Sequence, residues 1–191
     1  MERRLILASS SPRRQELLRS MGLQFTVFPP DVDENVSGEP ALAVRLLARR
    51  KAGAAALVYP DDVVLAADTL VYADGHVLGK PLDMDDANRM LRLLAGTWHE
   101  VHTGVCLIAG GIEQVRAAVT EVLFSPMNEE DILGYCRSGE PFGKAGAYAI
   151  QGLGGMFIEE IRGSYTNVVG LPTSLVRGML RTAPQTFQGQ E

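Results

Sequence analysis

Apolar runs and helix-spaced apolar positions alternate along this chain, separated by glycine, proline and small hydroxyl residues. Leu5-Ile6-Leu7-Ala8 is a short apolar run stopped by Ser9-Ser10-Ser11-Pro12, the pattern of a buried strand entering a tight loop. Leu17, Leu18 and Met21 follow at helical spacing, with Pro12 at the helix entrance and Gly22 as a stop. Phe25 to Phe28 reads as a second strand ended by Pro29-Pro30. Glu39-Pro40 then opens a long helix whose apolar positions include Leu42, Val44, Leu46, Leu47 and Leu57. Val63 to Ala67 is the most strand-like segment and continues to Tyr72, where Asp74-Gly75 signals a hairpin. A helix is expected from about Asp83 to Leu94, with acids in its first turn facing the positive end of the helix dipole. Val101 to Ile108 and Gln114 to Phe124 read as strands joined through Gly110-Gly111. Asn128 with Asp131 caps a helix to about Arg137. A glycine-rich stretch from Gly143 to Gly155, a strand near Phe157 to Ile161 and a helix after Pro172 complete the pattern. This is an α/β chain with a mixed sheet and flanking helices, not a purely parallel doubly wound one.

Composition narrows the picture. At 191 residues and 46% hydrophobic, the chain has the size of one domain spanning 1–191, with residues 182–191 expected as a frayed tail. A net charge of −5 argues against sequence-independent nucleic-acid binding, which needs a basic surface to release counterions. Cations could still converge on one pocket and bind a polyphosphate. Cys106 and Cys136 lack metal-type spacing and read as reduced thiols. The first apolar run is too short for a signal peptide, and no window offers the ~20 apolar residues of a membrane helix. A cytoplasmic protein without membrane partners is expected.

Several places could carry chemistry. Ser9-Ser10-Ser11-Pro12-Arg13-Arg14 lies between a strand and a helix, where helix N–H groups, hydroxyls and two guanidiniums make a phosphate cradle. The plainer alternative is a serine cap followed by solvated arginines. Asp68, within Ala66-Ala67-Asp68-Thr69, interrupts an apolar strand, which costs free energy unless the carboxylate is paired, protonated or metal-bound. It could ligate Mg²⁺ or take a proton from water. Asp33 and Glu34 matter only if the fold brings them to Asp68. Lys51, Lys80 and Lys144 are separated cations; Lys80 sits on the stiff Gly79-Lys80-Pro81 turn, and Lys144 has small neighbours that admit a ligand. His99 and His102 are three apart, so on a strand they face opposite ways and structural hydrogen bonding is the stronger reading. Trp98 reads as a core or edge residue. Gln151, an amide among small and apolar residues, could read a base edge or tie down a turn.

Taken in order, these segments resemble the Maf family of nucleotide pyrophosphatases from about Leu5 to Pro172. The resemblance is carried by Leu7 to Arg14, Ala66 to Thr69, Gly79-Lys80-Pro81, His99 to Val105, Ser138-Gly139-Glu140-Pro141, Lys144 to Gly152 and Gly163-Ser164-Tyr165 with Val169 to Pro172. It implies a two-lobed α/β fold similar to that of the inosine triphosphatases, with a nucleotide in a central cleft. It implies Asp68 as catalytic base or metal-bound carboxylate, Glu34 as its acidic partner, and a divalent cation, Mg²⁺ or Mn²⁺. Ser10, Arg13, Arg14, Lys51, Lys80 and Lys144 match substrate positions. Arg13, Thr69 and Gln151 match the branch that hydrolyses dTTP and UTP to a monophosphate and pyrophosphate, as house-cleaning of nucleotide pools. The alternatives are a 7-methyl-GTP-type pyrophosphatase, or a regulator of septum formation that binds nucleotide without hydrolysing it. A homodimer would fit the family. Gly143 departs from relatives that carry aspartate before the lysine.

Overall fold

The computed structural model describes residues 3–183. Among these, seven strands form one sheet in the order β2-β1-β3-β5-β6-β7, with β4 paired to β3. β1 (Leu5–Leu7) lies parallel to both β2 (Thr26–Val27) and β3 (Val63–Ala73), placing Ile6 opposite Thr26 and Val64. Parallel neighbours need a crossover, and the helices α1 (Pro12–Ser20) and α2 (Pro40–Val58) supply the two. β4 (His76–Leu78) returns antiparallel along β3 through Asp74 and Gly75, both at positive φ as the tight hairpin demands. α3 (Met84–Leu94) leads into β5 (Trp98–Ala109) and β6 (Ile112–Phe124), which Gly110 and Gly111 join, again at positive φ. β7 (Ile158–Arg162) is antiparallel to β6. The sheet is therefore mixed, as the alternation of strand and helix patterns implied.

The described residues fall into two compact units. One is drawn from Met1–Asp68, Thr103–Ala118 and Gly170–Glu191, the other from Thr69–His102 and Val119–Val169. The first unit has two apolar clusters. Leu5, Leu7, Leu18, Leu65, Val105, Leu107, Leu171 and Val176 form one. In the other, α2 lays Ala48, Ala52 and Ala55 onto Ile6, Ala8, Val64, Ala66 and Cys106. The second unit packs α3 and α4 (Glu129–Arg137) around Leu91, Leu94, Val122, Phe124 and Ile132. Phe124 is fully buried there, worth roughly 1.5–3 kcal/mol, and meets the Tyr148 ring edge-on at 4.8 Å.

Three segments add detail to the pattern read from the sequence. In α2 the large residues Leu42, Leu46 and Leu57 face solvent, Leu57 at 86% exposure, while alanines and Val44, Leu47 and Lys51 form the buried face. β5 approaches this helix closely: a Cβ on Gly104 would fall on the Val44 carbonyl and the Arg45 nitrogen, so position 104 has no room for a side chain. The strand near 157–161 starts one residue later, because Phe157 closes a 3₁₀ turn, Leu153–Phe157; α5 (Tyr165–Val169) follows. Thr182 does not begin a tail. It closes α6 (Thr173–Thr182) and donates to the Met179 carbonyl at 3.1 Å, and residues 184–191 lie outside those described.

Candidate active site

The serine–arginine loop leaves β1 where Ala8 donates its N–H to the Leu65 carbonyl at 2.8 Å. Ser9 is buried, and its hydroxyl accepts from the Ser11 N–H at 3.2 Å and from Arg14 Nη1 at 3.1 Å. Arg14 also donates Nε to the Gly170 carbonyl at 2.8 Å, so this arginine is fixed in place and is no solvated residue. Burial lowers its pKa; the charge of Asp68 raises it, Arg13 lowers it and Glu34 raises it. Two acids and two arginines of one unit thus feel one another. Burial likewise lowers the pKa of Arg13, against an opposing effect of Glu16. Ser11 stands at the N-cap of α1 but makes no side-chain hydrogen bond to the helix amides. The simple serine-cap alternative is not realised. Ser10 is exposed beside this loop.

The acids meet on a lysine. Lys51, buried on the alanine face of α2, places Nζ 2.5 Å from Asp68 Oδ1 and 2.7 Å from Glu34 Oε1. Asp68 sits on β3 with its side chain 13% exposed, so its charge has little water and needs this partner. Glu34 is held in reach by its loop: Arg50 donates to the carbonyls of Asp33 and Asn35, and Asp33 accepts from the Asn35 N–H. The fold therefore does bring Glu34 to Asp68, through Lys51. Arg50 had no sequence signal beyond its place on the same helix as Lys51.

The donor set fits a divalent cation. Two carboxylates already converge on one cationic centre, and hard cations such as Mg²⁺ take one or two carboxylates plus substrate phosphates. Among the described residues no group of three or more His, Cys, Asp or Glu stands ready to hold a metal alone.

Thr69, Lys80, Lys144 and Gln151 belong to the second unit. Lys80 is exposed on its turn, which Gly79 ties down by accepting from the Gly146 N–H at 3.0 Å. Lys144 donates to the carbonyls of Glu140 at 2.6 Å and Phe142 at 3.3 Å. Thr69 is half-buried and Gln151 exposed. His99 and His102 each have a hydrogen-bond partner. His99 is buried with Nε2 2.9 Å from the Tyr148 hydroxyl, and His102 meets Glu100 at 2.7 Å. Two residues carry more structure than the sequence suggested: Ser9, which orients Arg14, and Glu140, which gathers backbone N–H groups. Glycines at 152, 154 and 155, around a lone acid, were the available signal for Glu140.

Residues 4–183 match the family model described as Maf-like protein. The chain belongs to the Maf family. Its similarity to single members is high. It is 53% identical over 186 residues to a dTTP/UTP pyrophosphatase of Anaeromyxobacter dehalogenans (strain 2CP-1 / ATCC BAA-258), covering 94% of each chain. A protein of the same description from Koribacter versatilis (strain Ellin345) is 50% identical over 181 residues, with 94% of each covered. One from Vibrio cholerae serotype O1 (strain ATCC 39315 / El Tor Inaba N16961) is 51% identical over 172 residues, covering 88% of this chain and 92% of that one. No helix among the described residues of this Maf chain is long and apolar enough to cross a membrane.

Proposed function

We propose that this Maf chain hydrolyses dTTP and UTP to the monophosphate and pyrophosphate, serving to clear nucleotides from the pool. The observation that carries the chemistry is the Glu34–Lys51–Asp68 cluster, set in the same unit as the Ser9–Arg14 loop. Base preference rests on the relatives described above and on Arg13, Thr69 and Gln151, whose motifs resemble the dTTP/UTP branch.

Each residue has a part that its chemistry suits. Arg13, Arg14 and the Ser10 hydroxyl neutralise and orient phosphate oxygens, and guanidinium forks suit such oxygens best. Lys51 balances the two carboxylates before substrate arrives and supports the phosphate charge afterwards. Asp68 accepts a proton from the water that attacks the α-phosphorus, and pyrophosphate leaves in line. Glu34 and Asp68 would hold Mg²⁺ or Mn²⁺, whose contribution when bound is to neutralise charge on the phosphate oxygens. Positioning and charge neutralisation supply most of the rate in such transfers. Lys80 and Lys144 are further phosphate contacts in this reading, Thr69 and Gln151 contacts to the nucleoside.

The test is pyrophosphate release from dTTP, UTP, CTP and 7-methyl-GTP with Mg²⁺ or Mn²⁺. Turnover of dTTP and UTP well above the other two is expected. Preference for 7-methyl-GTP would move the chain to the other branch, and nucleotide binding without pyrophosphate release would make it a sensor.

A further inference from the structure

The second unit contains a carboxylate that the chemistry above does not use. Glu140 Oε1 accepts from the Tyr135 hydroxyl at 2.7 Å and from the Gly154 N–H at 2.9 Å, while Oε2 accepts from the Leu153 N–H at 2.9 Å. The Tyr135 hydroxyl in turn accepts from the Ala149 N–H at 3.2 Å. One carboxylate–phenol pair thus ties the segment 149–154 at both ends, and exposed Gln151 lies between the ties. The glycines permit this closeness. A Cβ on Gly152 would overlap the Glu140 carboxylate, and one on Gly154 would stand 2.6 Å from the Tyr135 hydroxyl. Burial works to raise the Glu140 pKa, but the hydrogen bonds from Gly154, Tyr135 and Leu153 outweigh it and hold the group below its ordinary value. At neutral pH it is an ionised, acceptor-only group, as the ties require.

We propose that the Tyr135–Glu140 pair is a positioning device that fixes the Gln151 turn and thereby sets discrimination of uracil and thymine from cytosine. The inference rests on the reading that Gln151 meets the base. A glutamine amide carries a donor and an acceptor side by side. One orientation pairs with O4 and N3–H of uracil or thymine, and the flipped orientation pairs with N4–H₂ and N3 of cytosine. Rotation of the side chain interconverts these orientations, so discrimination depends on the position from which the amide reaches the base, and Glu140 with Tyr135 fixes the backbone on either side of Gln151.

Glu140→Gln keeps size and shape but replaces one acceptor oxygen by an amide donor facing a backbone N–H. Two measurements are made on the full chain: hydrogen exchange of the Leu153 and Gly154 amides, and kcat and KM for UTP and CTP. Exchange is expected to quicken and the UTP/CTP preference to fall, each by about tenfold, the loss of one hydrogen bond to a charged group. The change in preference is expected in KM for UTP more than in kcat. Gln151→Ala is expected to lose the same preference with exchange unaltered. An E140Q chain with wild-type exchange, or with faster exchange and wild-type preference, overturns the proposal while leaving the pyrophosphatase reading intact. A wild-type chain that releases no pyrophosphate, or does not prefer UTP, overturns that reading and the proposal with it. If E140Q does not fold, Tyr135→Phe removes the hydroxyl that the Ala149 N–H meets, and exchange of the Ala149 amide with the UTP/CTP preference is read in its place.

Discussion

Asp68→Asn keeps the side chain's volume but removes both the proton acceptor and one of the charges on Lys51. Turnover of dTTP is expected to fall by a factor of about 10²–10⁴, the usual worth of a general base, with the circular dichroism spectrum unchanged. More than a tenth of wild-type turnover would remove Asp68 from that role. His99 gives a second test. Burial, against a smaller opposing effect of the Thr97 backbone, pulls its pKa from 6.5 to about 4, so the folded chain resists a proton that the unfolded chain takes up. Stability from this residue is whole above pH 6.5 and is lost as pH falls from there to about 4, by about 3 kcal/mol. Denaturant titrations across that range are expected to show a shallower decline in His99→Gln; an equal decline would show that His99 does not titrate this way. At this scale the sequence was partly legible. Asp68 announced itself because a charge in an apolar strand demands a reason, and Asn128 and Asp131 form the reciprocal cap that their spacing promised. Glu140 was less legible, since two of its partners are the backbone N–H groups of Leu153 and Gly154, and its side-chain partner Tyr135 has no spacing that marks the pair.

In α2 the buried face is built of alanines with Val44, Leu47 and Lys51, while Leu42, Leu46 and Leu57 face solvent, and its main chain at Val44 and Arg45 runs so close to β5 that position 104 admits no side chain. Gly104→Ala is accordingly expected to cost about 1–3 kcal/mol or more, because the new methyl meets main chain, which cannot step aside. Urea unfolding measures this, and a change below about 0.5 kcal/mol, the ordinary effect of an unremarkable substitution, would contradict the close approach. β3 was legible because Val63 to Ala67 run unbroken and buried, as a strand covered on both faces requires. The 3₁₀ turns were not, since glycine-rich stretches carry no period to read.

For the whole molecule we propose that both units unfold together as one domain, since β3, β5 and β6 each contribute residues to both. Calorimetry is expected to give one transition with equal calorimetric and van't Hoff enthalpies; two resolved transitions would divide the chain into separate folding units. The alternation of strand and helix patterns made the mixed sheet readable, whereas the division at Asp68 falls inside a strand and leaves no mark on the sequence. Lys51 has a consequence at this scale too. Catalytic carboxylates brought together usually repel, and enzymes commonly trade stability for activity on that account. Here the repulsion is answered from within the fold by an ammonium that the alanine face of α2 keeps in place. Substitutions at Glu34 or Asp68 are therefore expected to release no stored strain, because the two carboxylates are balanced in the fold itself.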